Sequence, residues 1–223
     1  MNTLILSRKV ILLATSLLMC NVSNAQSQLL EDFRTADSVS GCASIPYSEE
    51  RRRCTDKMYT VNENCKAPNY SCKSNDIKTP RYYLGHNTGI DRILEQMKAT
   101  RDELKNNRYS SDAGDTSALD ERIDTINRDI DKYEKQKESN LSFADGAKRE
   151  ILLRIKMGNE CLALRNEVQG HFSDAISKAR NESDAEIVPI AQRLMSKWGD
   201  SSREHQQAVL DTKNAVEICE KKL

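Results

Sequence analysis

The sequence predicts an all-α fold, and three observations carry that reading. No proline occurs between Arg81 and Val188, so long helices run unbroken there. Apolar residues recur at alternating steps of three and four. Charged residues make up 30% of the chain and aromatics 5%, a mix that suits narrow aliphatic seams between solvated helices better than one thick core. The expected architecture is a signal peptide (1–25), a small disulfide-stapled N-terminal head (26–84), an antiparallel coiled-coil hairpin (85–140) and a C-terminal helical hairpin (141–223).

Arg8 and Lys9 precede the apolar run from Val10 to Met19, and Ser23-Asn24-Ala25 sets small residues at the −3 and −1 positions of a signal-peptidase site. The run is too short to span a bilayer, so it reads as a secretory signal. Leu17-Leu18-Met19-Cys20 resembles the bacterial lipoprotein signal, in which the cysteine is lipidated. Met19 stands where that pattern wants a small residue, and the expected product is instead cut after Ala25 and left without a lipid anchor at Cys20. The expected location is periplasmic or extracellular, and the bacterial style of the signal favours the periplasm. Without the signal the chain has 32 basic and 34 acidic residues. That near-neutral balance argues against bulk nucleic-acid binding, which needs a surplus of phosphate-neutralising cations. No other apolar stretch reaches transmembrane length.

In the head, Pro46, Pro68 and Pro80 accompany Cys42, Cys54, Cys65 and Cys72. Residues 47–64 read as a short helix with Tyr47, Arg51, Cys54, Met58 and Val61 on one side.

The hairpin follows from two heptad runs. Ile90, Ile93, Met97, Thr100 and Leu104 form the first; Leu119, Ile123, Ile126, Ile130 and Tyr133 form the second. Turn formers lie between them, from Asn106 to Asp115. Folding the chain near Ser111 matches 90 with 133, 93 with 130, 97 with 126, 100 with 123 and 104 with 119, all with one index sum. Arg101 would then lie near Asp120 and Glu103 near Arg122. Thr88-Gly89-Ile90-Asp91 and Ser117-Ala118-Leu119-Asp120 read as capping boxes with Asp in place of Glu. Closed between two chains instead of within one, the same seam would give a homodimer.

Ser142, with Asp145 three residues on, predicts the start of a further helix. Its stripe is Ala147, Ile151, Ile155, Leu162, Val168, Phe172, Ile176 and Ala179, ending at Asn181-Glu182-Ser183-Asp184. A short helix around Pro189 to Trp198 is expected to stop at Gly199-Asp200, and Ser201 to open the last one.

Cys161 and Cys219 sit on apolar stripes of two helices and are the expected bridge of the C-terminal hairpin. The other four cysteines admit three pairings. Cys42 with Cys72 and Cys54 with Cys65 is preferred, with nearest-neighbour pairing as the alternative. No Cys-x-x-Cys or His/Cys cluster stands at zinc spacing, so no metal is expected.

His86, His171 and His205 belong to no catalytic motif, and neither a phosphate loop nor a nucleophile elbow is present. Arg51-Arg52-Arg53 reads as the polar side of a short helix. Arg108 and Tyr109 at the hairpin tip are residue types that anchor protein contacts. The expected function is that of a secreted or periplasmic, non-catalytic helical interaction module: an adaptor, inhibitor or assembly factor meeting a protein or cell-envelope partner, with no cofactor. The alternative is a cell-wall-acting hydrolase using a buried carboxylate, Glu160 being one carboxylate on the long helix.

Overall fold

The computed structural model describes residues 25–73, 77–110 and 116–223, all in helices and short connections, with no strand among them. The expected signal peptide up to residue 24, Cys20 within it, and the expected bend at Ser111 lie outside the described residues. The elements are α1 (25–37), a 3-10 turn (Gly41–Ser44), α2 (Ser48–Asn64), α3 (Ala67–Tyr70), α4 (Pro80–Ser110), α5 (Ser117–Arg180) and α6 (Val188–Glu220). The all-α expectation therefore holds. The chain divides into two compact units: residues up to Ala67 with Asn159–Lys213, and Pro68–Gly158 with Asn214–Leu223.

The first unit is built on large rings. Phe33, Phe172 and Trp198 are fully buried together with Ile45, Val168, Ile187 and Leu194. Gly41, at φ +60°, turns the chain after α1 in the left-handed region where a side chain is strained. The turn that follows places Ser44, whose hydroxyl accepts the Trp198 indole N–H at 3.0 Å and donates to the Gly41 carbonyl at 2.6 Å. The buried indole is thus left with no unmet donor. Two bridges close this unit. Cys42–Cys54 ties the turn to α2, and Cys65–Cys161 ties the end of α2 to α5. Asp37 of α1 accepts from Arg193 of α6 at 2.8 Å, and Lys57 of α2 pairs with Glu167 of α5 at 2.6 Å.

The second unit is thinner. Ile90, Leu94 and Ile130 form a small buried cluster, with Met97, Ile126 and Tyr133 packed against it. Ion pairs link α4 to α5 in opposite chain order: Asp91 with Lys137 (2.5 Å), Lys98 with Glu134 (2.8 Å) and Arg108 with Asp120 (3.1 Å). A second cluster joins Cys72, Ile151 and Cys219, and the Cys72–Cys219 bridge lies within it.

Several expectations change. α4 opens at Pro80, a residue suited to a first helical turn, with Thr79 just before it accepting from the Tyr82 N–H. The box at Thr88 is therefore interior to the helix. Ile93 is 38% exposed, Thr100 is exposed, and Leu94 takes the buried place expected of Ile93. From Ile90 the next apolar contact comes at a step of four, as an ordinary 3.6-residue helix allows. Arg101 pairs with Asp102 at 2.9 Å, leaving Asp120 to Arg108. α5 begins at Ser117 as the sequence suggests but runs on through Ser142, because neither glycine nor proline interrupts 134–141 and Ala144 is buried. α6 likewise continues through Gly199. A helical glycine costs about 1 kcal/mol, whereas burying a large apolar side chain such as the neighbouring Trp198 contributes roughly 1.5–3 kcal/mol.

The bridges differ most. Cys54 lies inside α2 and Cys65 caps its end, so about 16 Å of helix separates them, and no Cys54–Cys65 bond can form. Cys161 and Cys219 fail on register. A Cβ on Gly158 would lie 2.4 Å from Val216 Cγ2, which sets residue 158 opposite 216. Antiparallel counting then puts Cys219 opposite Ile155, whose side chain packs on the Cys219 cluster. That is six residues, roughly 9 Å, along α5 from Cys161 and beyond disulfide reach. Cys72 instead bonds Cys219, which leaves Cys42 for Cys54 and Cys65 for Cys161.

Candidate functional site: exposed rings on two helices

The chain has seven tyrosines, three phenylalanines and one tryptophan. In the second unit several of them are exposed and grouped. Tyr82 and His86 stand four residues apart on α4 and therefore share one side of it. Their rings are 4.8 Å apart, and Tyr83 meets the Tyr82 ring edge-on at 5.3 Å. From α5, Phe143 reaches Tyr83 at 5.6 Å. The Lys78 ammonium sits 4.2 Å from the Tyr82 ring centroid. Tyr82 is 45% exposed and Phe143 58%, although such residues each bring a large apolar surface that folding ordinarily buries.

Hydrogen bonds join the two helices close to these rings. Asn87 is buried and donates to the Lys137 carbonyl at 3.3 Å, while Asn140 donates to the Asn87 side-chain oxygen at 2.8 Å. This amide pair fixes α4 against α5, next in sequence to His86 and about one turn from Phe143. The result is a positioned surface of rings, hydroxyls and one cation. It suits recognition: it offers stacking and apolar contact at low conformational cost.

The sequence-derived candidates fall elsewhere. Arg108 and Tyr109 occupy the last turn of α4, where Arg108 pairs with Asp120 and Tyr109 is 85% exposed. They stand apart from the ring cluster. Cys42, Cys54, Cys65, Cys72, Cys161 and Cys219 are all bridged and act as structure. Of the arginine run, Arg53 pairs with Glu49 at 2.5 Å and Arg51 donates to the Ile45 carbonyl at 3.3 Å, so two of the three serve the head itself.

The electrostatics bear on the hydrolase alternative. A general acid needs a carboxyl whose pKa is raised. Asp37, Glu50, Glu134 and Asp184 all move downward. Hydrogen bonds from Arg193, Lys178 and Lys98 hold down the first three, and the Glu186 main-chain N–H holds down Asp184. Glu160 is exposed on α5. Two other groups shift by burial. The Tyr47 phenol, donating to Glu182, is pushed up by desolvation and then by that carboxylate. The His205 imidazole, stacked on Phe172 at 5.8 Å, is pushed down by desolvation and then by Arg165. Among the described residues no group of three His, Cys, Asp or Glu is placed to hold a metal ion, and no helix is long and apolar enough to cross a membrane.

Sequence reasoning passes over Tyr82, Tyr83 and Phe143, because it starts the hairpin at 85 and a new helix at Ser142, and it weighs His86 only as a catalytic candidate. A signal is nonetheless present: the index sum that matches 90 with 133 also brings Tyr83 close to Phe143. No protein-family model, curated protein or solved structure matches this chain.

Proposed function

We propose that this chain is an exported helical interaction module without chemistry of its own, and that the rings of Tyr82, Tyr83 and Phe143 are where a protein partner docks. One observation carries the reading: Tyr82 and Phe143 are kept exposed, with the half-buried Tyr83 ring in contact with both, on a hydrogen-bonded helix pair, in a chain that buries Phe33, Phe172 and Trp198 completely. Aromatic anchors of this kind dominate the energetics of protein interfaces. Three disulfides support an oxidising location, where such bonds persist. Tyr109, at the end of α4, is a second contact on this reading.

The test is site-specific photo-crosslinking in the exporting cell. A photoreactive residue at position 143 is expected to trap a defined partner, and Tyr82→Ser on the same chain is expected to abolish the adduct. The same probe at Tyr59, which is exposed in the first unit, should trap nothing comparable. Equal trapping at 59 and 143, or an adduct indifferent to Tyr82→Ser, would overturn the proposal.

A further inference from the structure

α4 and α5 also enclose a groove of about 580 Å³ that shares no residue with the ring cluster. Leu94 and Leu141 give it an apolar lining, and Leu141 is left 45% exposed. Four carboxylates and two lysines surround these leucines. The lysines are already engaged: Lys98 with Glu134 at 2.8 Å, Lys137 with Asp91 at 2.5 Å. Glu95 and Glu138 remain, and neither has an ion-pair partner among the described residues. The groove therefore carries two uncompensated negative charges beside an exposed leucine.

The same sign continues along α5. Asp124, Asp131, Glu138 and Asp145 recur every seven residues and so share one helix face with Arg128 and Lys135, four carboxylates against two cations. Arg128 stands among them, in a neighbouring recess lined by Glu121, Asp124 and Asp131. Its guanidinium donates to the Asp124 carbonyl and the Thr125 hydroxyl, not to a carboxylate. An acidic face with an apolar slot fits the apolar stripe of a helix whose flanks are basic.

We propose that this groove receives a cationic amphipathic segment of a partner protein, an apolar side chain lying on Leu141 and Leu94 while lysines or arginines reach Glu95 and Glu138. A negatively charged segment would meet repulsion on the same face, and charge of this kind sets selectivity and capture rate more than raw affinity. The proposal rests on the reading of the chain as an interaction module but not on its ring cluster.

The probe is a fluorescent synthetic peptide with leucines at helical spacing and lysines elsewhere, titrated against the full disulfide-bonded chain. Its twin carries glutamate for lysine. The lysine peptide is expected to bind, more weakly as salt rises, and the glutamate peptide to fail. Glu95→Lys with Glu138→Lys is expected to weaken binding about tenfold, the reversal of two modest ion pairs. Leu141→Ser weakens it with the charges intact, and Phe143→Ser leaves it unchanged, which separates this site from the ring cluster. Charge reversal at Glu63 and Asp174, exposed in the first unit, is the control and leaves affinity unchanged. Equal binding of the glutamate peptide, an equal loss from the control reversal, or self-association of the chain that Leu141→Ser abolishes would overturn the assignment.

Discussion

The two units place most of their aromatic residues differently. The first buries Phe33, Phe172 and Trp198 entirely and ties its helices with Cys42–Cys54 and Cys65–Cys161. The second is held by Ile90, Leu94 and Ile130 and by Cys72–Cys219, while Tyr82 and Phe143 stand exposed. Tyr59 is exposed in the first unit and Tyr70 is buried in the second, but the fully buried rings all belong to the first and the grouped exposed rings to the second. An apolar surface kept out of a core that would gain from it points to a use outside the fold.

The largest expected effect tests how the second unit is closed. Its bridge joins residues 147 apart, and the chain-entropy account assigns such a loop about 5 kcal/mol. Cys42–Cys54, with a separation of 12, rates about 3 kcal/mol. Replacing Cys72 and Cys219 together by serine should therefore cost more in chemical denaturation than replacing Cys42 and Cys54. The reverse order would mean that the first unit depends more on its bridges than on its rings. Trp198→Ala comes next, at about 3–5 kcal/mol, since it empties the centre of the first unit and removes the donor to the Ser44 hydroxyl.

A smaller effect sharpens the contrast within the second unit by its sign. Gly158→Ala places a Cβ against Val216 and should destabilise by about 1–3 kcal/mol, with Val216→Ala restoring much of the loss. At Gly85, Gly89 and Gly146 an added Cβ would meet nothing within 4 Å, so alanine there should stabilise by about 0.5–1 kcal/mol each. Thermal melts of the four variants settle the signs.

The smallest effect is a pH dependence confined to the first unit. The His205 imidazole is held below its ordinary value of 6.5 by burial and by Arg165. The unfolded chain then binds the proton more readily than the folded one. This contribution is intact above about pH 6.5 and is lost as pH falls from there through the lower folded value. Wild type should lose more stability than His205→Gln over that window; parallel losses would show that His205 is not the group responsible.

Much of this fold is legible in the residues. The absence of proline after Arg81, the capping signal at Ser117 and the stop at Asn181 each correspond to an observed helix or helix end. What fails are breaks inferred from weak local signals. Ser142 and Gly199 are tolerated inside helices because buried Ala144 and Trp198 outweigh the local preference. The pairing of cysteines is not legible, because it depends on helix register. A shift of six residues, set by one contact between Gly158 and Val216, moves Cys219 from Cys161 to Cys72. The ring cluster is legible only in part, since Tyr83 and Phe143 lie 60 residues apart and meet only once α5 is continuous.

Tyr82 and Phe143, on this view, serve a partner and not the fold. That distinction is decided by the unfolding free energy of Tyr82→Ser with Phe143→Ser, measured beside crosslinking from a photoreactive residue at position 83. A stability change under about 1 kcal/mol is expected, as for exposed positions, with the adduct lost. A loss near the roughly 3–5 kcal/mol of a buried aromatic, or an undiminished adduct, would contradict it.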